Sequence, residues 1–326
     1  MSYSEKLKNK ILSEIRRNRR FLAISHIDPD GDAVASLLLL GEIFKKFKKD
    51  FVLFLKDKVP KKFNFLSGIN LIKDKISNHK FDWIFTVDTP NPERVGVDIS
   101  TFRVINIDHH PSNTRYGEIN WVVPKKTAVC VMIYELLKKA KVKITKEIAE
   151  ILYTGIYTET GGFLYPNLSE NVFEISKEIL STGFSPSEIA MKLTAKDEED
   201  IRLLSLVLST LRVEEGIAVI YMTQNMLKKT GVNEDVENSS SFIRYPASIP
   251  GVKLAIFFRE TKDKNTKISF RSFGKVDVNK LAFLFGGGGH KNAAGARLNM
   301  PLRKAMKIVI EKSKEFIKSA EHRNTD

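Results

Sequence analysis

Short apolar runs that end in acidic or imidazole side chains are the main pattern along this chain. Residues 21–24, 51–55, 81–88 and 102–107 have the length and composition of buried strands. Three of them lead directly into polar groups: the segment SHIDPDGDA (25–33), Asp88, and Asp108-His109-His110. Because the C-terminal ends of parallel strands lie along one edge of a sheet, we expect these groups to meet there. Core packing does not explain polar ends on three apolar strands, so the pattern indicates a functional site.

Apolar and polar periodicity elsewhere predicts the remaining elements. Helices are predicted at residues 4–20, 33–40, 127–140, 145–157, 169–182, 185–193 and 197–213. Later strands are predicted at 216–221, 252–258 and 267–272, and later helices at 278–285 and 301–320. We therefore predict an α/β fold: an N-terminal domain (1–195) with a mostly parallel sheet flanked by helices, a connector helix (196–213), and a smaller mixed α/β domain (214–326).

The first polar segment places His26, Asp28, Asp30 and Asp32 on a strand-to-helix loop. Carboxylates crowded in this way repel one another unless a cation lies between them. Gly31 is expected to let the backbone turn tightly between Asp30 and Asp32. Oxygen ligands combined with an imidazole predict half of a metal site.

This loop has two other interpretations. Asp-Pro-Asp-Gly is also common turn chemistry, and on this segment alone that alternative stays open. A helix–loop–helix calcium site that starts at Asp28 would need glycine at its sixth position and glutamate at its twelfth, and Ala33 and Leu39 stand there instead. A calcium loop of that kind is therefore excluded.

Length and charge narrow the class of protein. The 326 residues suggest two domains, and the formal net charge of +14 favours polyanionic partners. The lysines are spread along the chain, as on solvated helices, so charge adds weak support. No apolar run has membrane-spanning length, and the charged N-terminal segment does not resemble a secretory signal. The single cysteine, Cys130, precludes an internal disulfide and is expected to be a buried apolar residue, and we expect a cytoplasmic location.

Five motifs in order resemble those of a known family. They are His26-Ile-Asp-Pro-Asp-Gly-Asp32, Asp88, Asp108-His109-His110, Thr158-Glu159-Thr160-Gly161, and Gly286-Gly-Gly-Gly-His290 followed by Ala-Ala-Gly295. The first four resemble the motifs of the DHH phosphoesterases, and the fifth resembles the signature of their associated C-terminal domain. The resemblance runs from about residue 20 to 300 and is closest to the oligoribonuclease (nanoRNase) and pAp phosphatase branch.

The resemblance implies two divalent cations, usually Mn²⁺, with Mg²⁺, Co²⁺ and Zn²⁺ as open alternatives. One cation would be held by His26, Asp30 and Asp88. The other would be held by Asp32, Asp88, His109 and Glu159, with Asp88 bridging. The family usually has aspartate where Glu159 stands, so the extra methylene leaves metal preference and rate open.

The resemblance also implies roles outside the metal ligands. His110 would face the substrate phosphate and assist the leaving group, and Asp108 would orient an imidazole. The far end of the substrate would be contacted by Arg271, Ser272, Gly287, Gly288, Gly289 and His290. Without the resemblance, the glycine run would fit a flexible linker and Arg271 an ordinary surface residue.

The predicted function is hydrolysis of short oligonucleotides, pAp or both to mononucleotides by two-metal activation of water. One alternative is a phosphodiesterase that cleaves linear pApA or cyclic di-AMP to AMP, and another is a non-catalytic nucleotide-binding protein. An inorganic pyrophosphatase fits less well, because that branch lacks the GGGGH signature. The implied partners are short single-stranded oligonucleotides or small nucleotides, without a membrane, and a homodimer is left open.

Overall fold

A computed structural model describes residues 3–76, 80–165, 167–232, 241–272, 274 and 276–322. Two compact units make up the chain, Met1–Ala195 and Lys196–Asp326, and each is described by itself. None of the described helices is long and apolar enough to cross a membrane.

The N-terminal unit is built on a six-stranded sheet in which every neighbouring pair is parallel. Its strands are β1 (Arg20–Ile24), β2 (Asp50–Phe54), β3 (Ile72–Lys73), β4 (Trp83–Val87), β5 (Val104–Asp108) and β6 (Ile119–Val122). The order is β3-β2-β1-β4-β5-β6, so the direction of winding reverses between β1 and β4. That reversal opens a crevice at the C-terminal ends of the two strands, where α/β folds bind ligands. The predicted parallel α/β architecture is confirmed.

Helices cover this sheet and bury its faces. They are α1 (Tyr3–Arg17), α2 (Gly31–Lys46), α3 (Val129–Lys139), α4 (Lys146–Glu159), α5 (Glu170–Leu180) and α6 (Pro186–Thr194), with short 3₁₀ turns at Lys61–Phe63, Ile69–Leu71 and Pro92–Val95. Helix α2 is buried along most of its length, because it packs against α3 and α4 as well as the sheet. It is therefore apolar on nearly all sides and lacks the polar stripe of a surface helix.

Two strands of this sheet were not predicted. β3 has two residues and no pattern that could identify it. β6 alternates buried Ile119 and Trp121 with half-buried Asn120 and Val122, which is the period of a strand with one covered face. This alternation can be seen in the sequence, but four residues are too few to distinguish a strand from the loop that follows Asp108-His109-His110.

The C-terminal unit contains a mixed six-stranded sheet. Its strands are β7 (Arg212–Glu214), β8 (Ile217–Met222), β9 (Leu254–Glu260), β10 (Thr266–Arg271), β11 (Gly288–His290) and β12 (Ala293–Leu298). The order is β11-β12-β10-β9-β8-β7, with β8 and β9 parallel and the other pairs antiparallel. Its helices are α7 (Glu198–Leu208), α8 (Gln224–Thr230), α9 (Arg244–Ala247), α10 (Val278–Phe283) and α11 (Leu302–His322).

The predicted connector helix is shorter than expected. It ends at Leu208, and Arg212–Glu214 forms strand β7, which pairs with β8. The two strands are joined by Glu215 and Gly216, which both have positive φ, as the tightest hairpin turns require. Helix α7 packs its apolar side into the core of the C-terminal unit, so it belongs to that unit structurally.

Candidate metal centre

The polar strand ends predicted from the sequence come together in the N-terminal unit. β1 lies beside β4, and β4 lies beside β5, so their C-terminal ends are adjacent. Three groups of side chains offer ligand atoms within 4.8 Å of one another: His26, Asp30 and Asp88; Asp32, His109 and Glu159; and Asp88, His109 and His110. The first two groups together contain all six side chains that were predicted to hold metal.

Asp88 lies at the centre of these groups. Its Oδ2 is 3.6 Å from His26 Nε2, and its Oδ1 is 3.6 Å from His109 Nε2 and 3.7 Å from His110 Nδ1. The carboxylate is buried, and Oδ1 has no hydrogen-bond partner among the described residues. A buried carboxylate oxygen without a partner is unfavourable unless a cation binds it. The donor set therefore fits a divalent ion. Because the two oxygens of Asp88 face different imidazoles, this one carboxylate could be shared by two ions.

Asp88 also adopts an unusual backbone conformation. Its φ is +55°, in the left-handed region that side chains other than glycine and asparagine seldom adopt. Such conformations cost about 1–3 kcal/mol and persist where the surrounding structure imposes them, often at functional sites. This conformation turns the chain directly after β4 and directs the carboxylate into the crevice.

The two candidate imidazole ligands are oriented by backbone carbonyls. His26 Nδ1 lies 2.7 Å from the carbonyl oxygen of Ile27, and His109 Nδ1 lies 3.0 Å from that of Lys126. A carbonyl can only accept, so Nδ1 carries the hydrogen in both rings and Nε2 faces the carboxylates. This arrangement presents the Nε2 lone pair to a metal.

Electrostatics in the centre show that positive charge is needed there. Burial, and then the charge of Asp88, raise the pKa of Asp32 to about 7. Burial and the neighbouring carboxylates Asp30, Asp32 and Asp88 also raise the pKa of Glu159 well above its usual value. Burial alone would lower the pKa of His26, but the hydrogen bond and charge of Asp88 outweigh it and raise the pKa to about 9. In the absence of metal, a proton on His26 supplies part of the charge that a cation would bring.

Asp30 and Asp32 have structural partners in addition to their place in the centre. Asp30 is the N-cap of α2, and its Oδ1 accepts from the amides of Asp32 (3.0 Å) and Ala33 (3.1 Å). Asp32 accepts from the amides of Val129 (2.6 Å) and Cys130 (2.8 Å) in the first turn of α3. These bonds hold the Asp32 side chain in one orientation. Among the described residues, Asp32 Oδ2 accepts one hydrogen bond and Asp30 Oδ2 accepts none, so both of these oxygens keep a lone pair for a cation.

Glu159 is carried by a helix that continues two residues beyond the predicted end at residue 157. It is the last residue of α4, and its Oε1 lies 3.8 Å from His109 Nε2. Gly161 and Gly162, with φ of +60° and +73°, follow the helix end and reverse the chain. The helix therefore runs up to the candidate ligand and places it beside His109.

The predicted role of Gly31 in a tight turn is wrong. Gly31 is the first residue of α2 and has no positive φ, whereas Asp28 in the same loop has φ of +55°. A Cβ atom on Gly31 would lie 2.1 Å from Thr158 Oγ1 on α4. Glycine is required because the start of α2 and the end of α4 touch, and this contact brings Glu159 close to Asp32.

Asp108 orients His110 rather than a candidate ligand imidazole. His110 Nδ1 lies 2.8 Å from Asp108 Oδ1, and Asn113 Nδ2 donates to Asp108 Oδ2 at 2.6 Å. Burial works to lower the pKa of His110, but the hydrogen bond to Asp108 and the charge of Asp88 raise it above its usual value. These two contacts favour the protonated form of His110. Asn113 was missed in the sequence, where its only signal is its place five residues after Asp108.

In the C-terminal unit, part of the glycine run forms a β-strand. Gly288 and Gly289 lie in β11, paired with Gly295 and Ala294 of β12, and the amide of Gly289 donates to Asn279 Oδ1 at 2.9 Å. A Cβ atom on Gly287 would lie 2.1 Å from the carbonyl oxygen of Gly295. Close approach of two strands therefore requires glycine here, and the flexible-linker alternative is excluded.

The other predicted substrate residues differ in their surroundings. Arg271 is the half-buried last residue of β10, and its Nη1 donates to the Phe270 carbonyl at 2.9 Å. Ser272 is buried, and its hydroxyl donates to the Val276 carbonyl at 2.7 Å, so it supports its own loop, and its substrate contact stays a prediction. The side chain of His290 lies outside the described residues, so its predicted contact stays a prediction.

Comparison with known proteins covers both units. Residues 20–156 match the family model described as DHH family, N-terminal domain, and residues 214–322 match the DHHA1 domain. A protein of Thermus thermophilus named bifunctional oligoribonuclease and PAP phosphatase is 33% identical over 307 residues, covering 91% of this chain and 90% of that protein. A Bacillus subtilis protein of the same name is 29% identical, covering 90% and 93%.

Solved structures agree in fold. An exopolyphosphatase-related protein from Bacteroides fragilis has a TM-score of 0.91 and 27% identity, covering 97% of this chain and 98% of the other. The manganese complex of RecJ from Thermus thermophilus has a TM-score of 0.52 and 12% identity, covering 98% of this chain and 55% of the other. The second likeness concerns the fold alone.

Proposed function

This chain belongs to the DHH family, with a DHH domain followed by a DHHA1 domain, and from that premise we propose that it hydrolyses short oligoribonucleotides and pAp to mononucleotides. The observation that carries the proposal is the pair of candidate ligand groups on either side of Asp88. Relatives named for both activities, matching over about nine-tenths of their length, support the choice of substrates.

We assign one divalent cation to His26, Asp30 and Asp88, and a second to Asp32, Asp88, His109 and Glu159. The mixture of imidazole and carboxylate ligands suits Mn²⁺, with Mg²⁺, Co²⁺ and Zn²⁺ as ions to be compared experimentally. When bound, such a pair of ions activates water and neutralises charge on the phosphate.

Groups of the protein itself orient the ligand imidazoles and supply a proton. Asp88 faces both imidazoles, which the carbonyls of Ile27 and Lys126 hold with Nε2 inward. His110, whose pKa is raised by the hydrogen bond to Asp108 and the charge of Asp88, is assigned to donate a proton to the leaving oxygen. This division needs no covalent bond between the enzyme and the phosphate.

Recognition of nucleotides beyond the scissile phosphate is assigned to the DHHA1 domain. Arg271 supplies a guanidinium at the end of β10, and Gly288 exposes backbone on β11, two strands away in the same sheet. A glycine backbone can approach a phosphate or base closely, and a guanidinium matches the two oxygens of a phosphate. His290 is retained in this role as a prediction.

The test is a turnover panel with the full-length protein and Mn²⁺. The substrates are pAp, linear pApA, cyclic di-AMP and short RNAs of graded length, with Asp88→Ala as the inactive control and Asp50→Asn as the matched surface control. Asp50 is exposed at the N-terminal end of β2, the opposite edge of the sheet. We expect AMP from pAp and mononucleotides from the shortest RNAs. Turnover of cyclic di-AMP alone, or nucleotide binding without turnover, would contradict the proposal.

Cytoplasmic location and a homodimer are kept as predictions of the same proposal. Cell fractionation tests the first, and sedimentation or light scattering of the purified chain tests the second.

A further inference from the structure

One short segment makes hydrogen bonds with two of the candidate ligands of the second ion. It comprises residues 126–130 and leads from β6 into the first turn of α3. The carbonyl of Lys126 accepts from His109 Nδ1 at 3.0 Å, and two amides at the start of α3 donate to the carboxylate of Asp32 at 2.6 and 2.8 Å. This segment therefore holds both the imidazole and one carboxylate of the second ligand group.

A second segment, residues 167–169, contacts the residue that carries the other carboxylate of this group. Asn167 Nδ2 donates to the carbonyl of Glu159 at 3.3 Å and lies 3.5 Å from the carbonyl of Thr127. Glu159 is the last residue of α4, and the last carbonyls of a helix have no partner within the helix. The bond from Asn167 therefore holds the helix end that presents Glu159 to the ion.

Thr127 joins the two segments. Its side chain is buried, and its Oγ1 donates to the carbonyl of Asn167 at 2.9 Å and lies 3.0 Å from Ser169 Oγ. Because the Thr127 proton goes to the carbonyl, the Ser169 hydroxyl donates to Thr127. The hydroxyl is thus used as donor and as acceptor, and a continuous series of contacts runs from His109 through Thr127 to Glu159.

The side chain at position 127 supplies hydrogen bonds where an apolar residue would fit. Its neighbours along the chain, Ala128 and Val129, belong to the apolar core of the N-terminal unit. Valine has nearly the same shape as threonine, and a buried hydroxyl is unfavourable unless it is hydrogen-bonded. The hydroxyl therefore serves its two partners, which lie 40 and 42 residues farther along the chain.

Other groups hold the ligands of the first ion. His26 is oriented by the backbone carbonyl of the next residue, and Asp30 accepts from two amides at the start of α2. In the part of the chain that the structure describes, no hydrogen bond links either side chain to residues 126–130 or 167–169. A change at Thr127 should therefore act on one of the two ions.

We propose that Thr127 is a positioning residue for the second ion. It fixes the carbonyl that orients His109 relative to the helix end that carries Glu159, so that His109 Nε2 and Glu159 Oε1 lie 3.8 Å apart, within reach of one ion. Thr127 acts through these two ligands and is not itself a ligand. This role rests on the proposed function only in taking His109 and Glu159 as ligands, and it does not depend on which nucleotide is hydrolysed.

Binding of Mn²⁺ to the metal-free full-length protein tests this role without turnover. Calorimetry compares wild type with Thr127→Val, which keeps the shape and removes the hydroxyl, and with Thr127→Ser, which keeps the hydroxyl. Glu159→Ala, expected to bind only the first ion, identifies the two sites. We expect Thr127→Val to weaken the second ion by about ten-fold or more and to leave the first unchanged, and Thr127→Ser to restore most of the affinity.

The matched control is Thr266→Val in the C-terminal unit. Thr266 is also buried, and its hydroxyl donates to the carbonyl of Met300 at 2.9 Å, 34 residues away. The substitution there removes an equivalent hydrogen bond that involves neither ligand group. Both ions should bind Thr266→Val as they bind wild type. A loss of second-ion affinity as large as that in Thr127→Val would assign the effect to general destabilisation.

An exposed residue tests the same link without altering the core. Asn167→Ala removes the donor to the carbonyl of Glu159, and because Asn167 is exposed the variant should fold normally. We expect the second ion to bind about three- to ten-fold more weakly. The double variant Thr127→Val/Asn167→Ala should bind it little more weakly than Thr127→Val alone, because both changes break one series of contacts.

The outcomes separate this role from the proposed function. Unchanged Mn²⁺ binding in folded Thr127→Val and Asn167→Ala proteins would overturn the role of Thr127, even if wild type holds two ions and hydrolyses pAp. Equal weakening of both ions would also overturn it, since Thr127 would then support the fold in general. A wild-type protein that binds a single ion would overturn the two-ion centre itself and, with it, this role.

Discussion

At the residue scale, the centre is held together by groups whose charges require one another. Asp88 has a left-handed backbone conformation, and its buried Oδ1 has no hydrogen-bond partner among the described residues. Burying this charged oxygen costs free energy that a bound cation would offset. His26, His109 and His110 surround it and have acceptors for their Nδ1 hydrogens. Removing one of these residues should therefore affect metal content more than folding.

The first prediction concerns metal stoichiometry. Wild-type protein equilibrated with Mn²⁺ and desalted should hold about two ions per chain. Asp88→Ala should hold far less and be inactive, because both ligand groups include or adjoin this side chain. Elemental analysis and activity on pAp measure the outcome. Two ions and full activity in Asp88→Ala would rule out the shared-ligand arrangement.

The second prediction concerns Glu159. Glu159→Asp should keep activity, since the family usually has aspartate at this position, whereas Glu159→Ala should lose the second ion. The helix end carries the side chain to within 3.8 Å of His109 Nε2, so a shorter acid needs only a small shift of the ion. Metal content and rate are measured together, and an Ala variant with both intact would show that Glu159 is not a ligand.

At the element scale, the contact between α2 and α4 brings together the candidate ligands Asp32 and Glu159 of the second ion. Gly31 at the start of α2 touches Thr158 near the end of α4, and Gly155 packs farther along the same helix against Ala35. This surface holds Glu159 next to Asp32. The amides of α3 complete the arrangement, since Asp32 binds the first turn of that helix.

The third prediction follows from this contact. Gly31→Ala should lower stability by about 1–3 kcal/mol through overpacking and should weaken retention of the second ion. Gly41→Ala on the same helix is the control, because its Cβ would meet Leu53 Cδ1 at 3.2 Å and the Phe51 ring at 3.6 Å, a much smaller overlap than at Gly31. Denaturant melts and metal content separate the two variants. Equal effects of both would mean that the helix contact does not position the ligand.

At the scale of the whole molecule, we propose that the two units divide chemistry from recognition. The N-terminal unit holds the candidate ligands, and a metal centre contacts a phosphate without measuring substrate length. In this proposal Arg271, predicted from its motif, and the glycine run of the C-terminal sheet supply the preference for substrate length.

The fourth prediction tests this division. Arg271→Ala should lower kcat/KM for di- and trinucleotides by about ten- to a hundred-fold, mainly through KM, as expected for loss of a contact to a charged group. Hydrolysis of bis-p-nitrophenyl phosphate should be almost unaffected. Equal losses on the two substrate classes would assign Arg271 to support of the fold instead.

The sequence by itself determined the α/β class and the order of most elements, because strand period, helix period and the polar ends of strands are local properties of the chain. The six candidate metal ligands came from the resemblance of its motifs to the family, and Glu159, at the end of a helix, could not have been found from strand ends. The backbone partners of Asp32, 97 and 98 residues away, could not be predicted, since amide groups have no sequence signal. The reason for Gly31 and the burial of Ser272 likewise depend on contacts between distant segments, and only tertiary packing decides those.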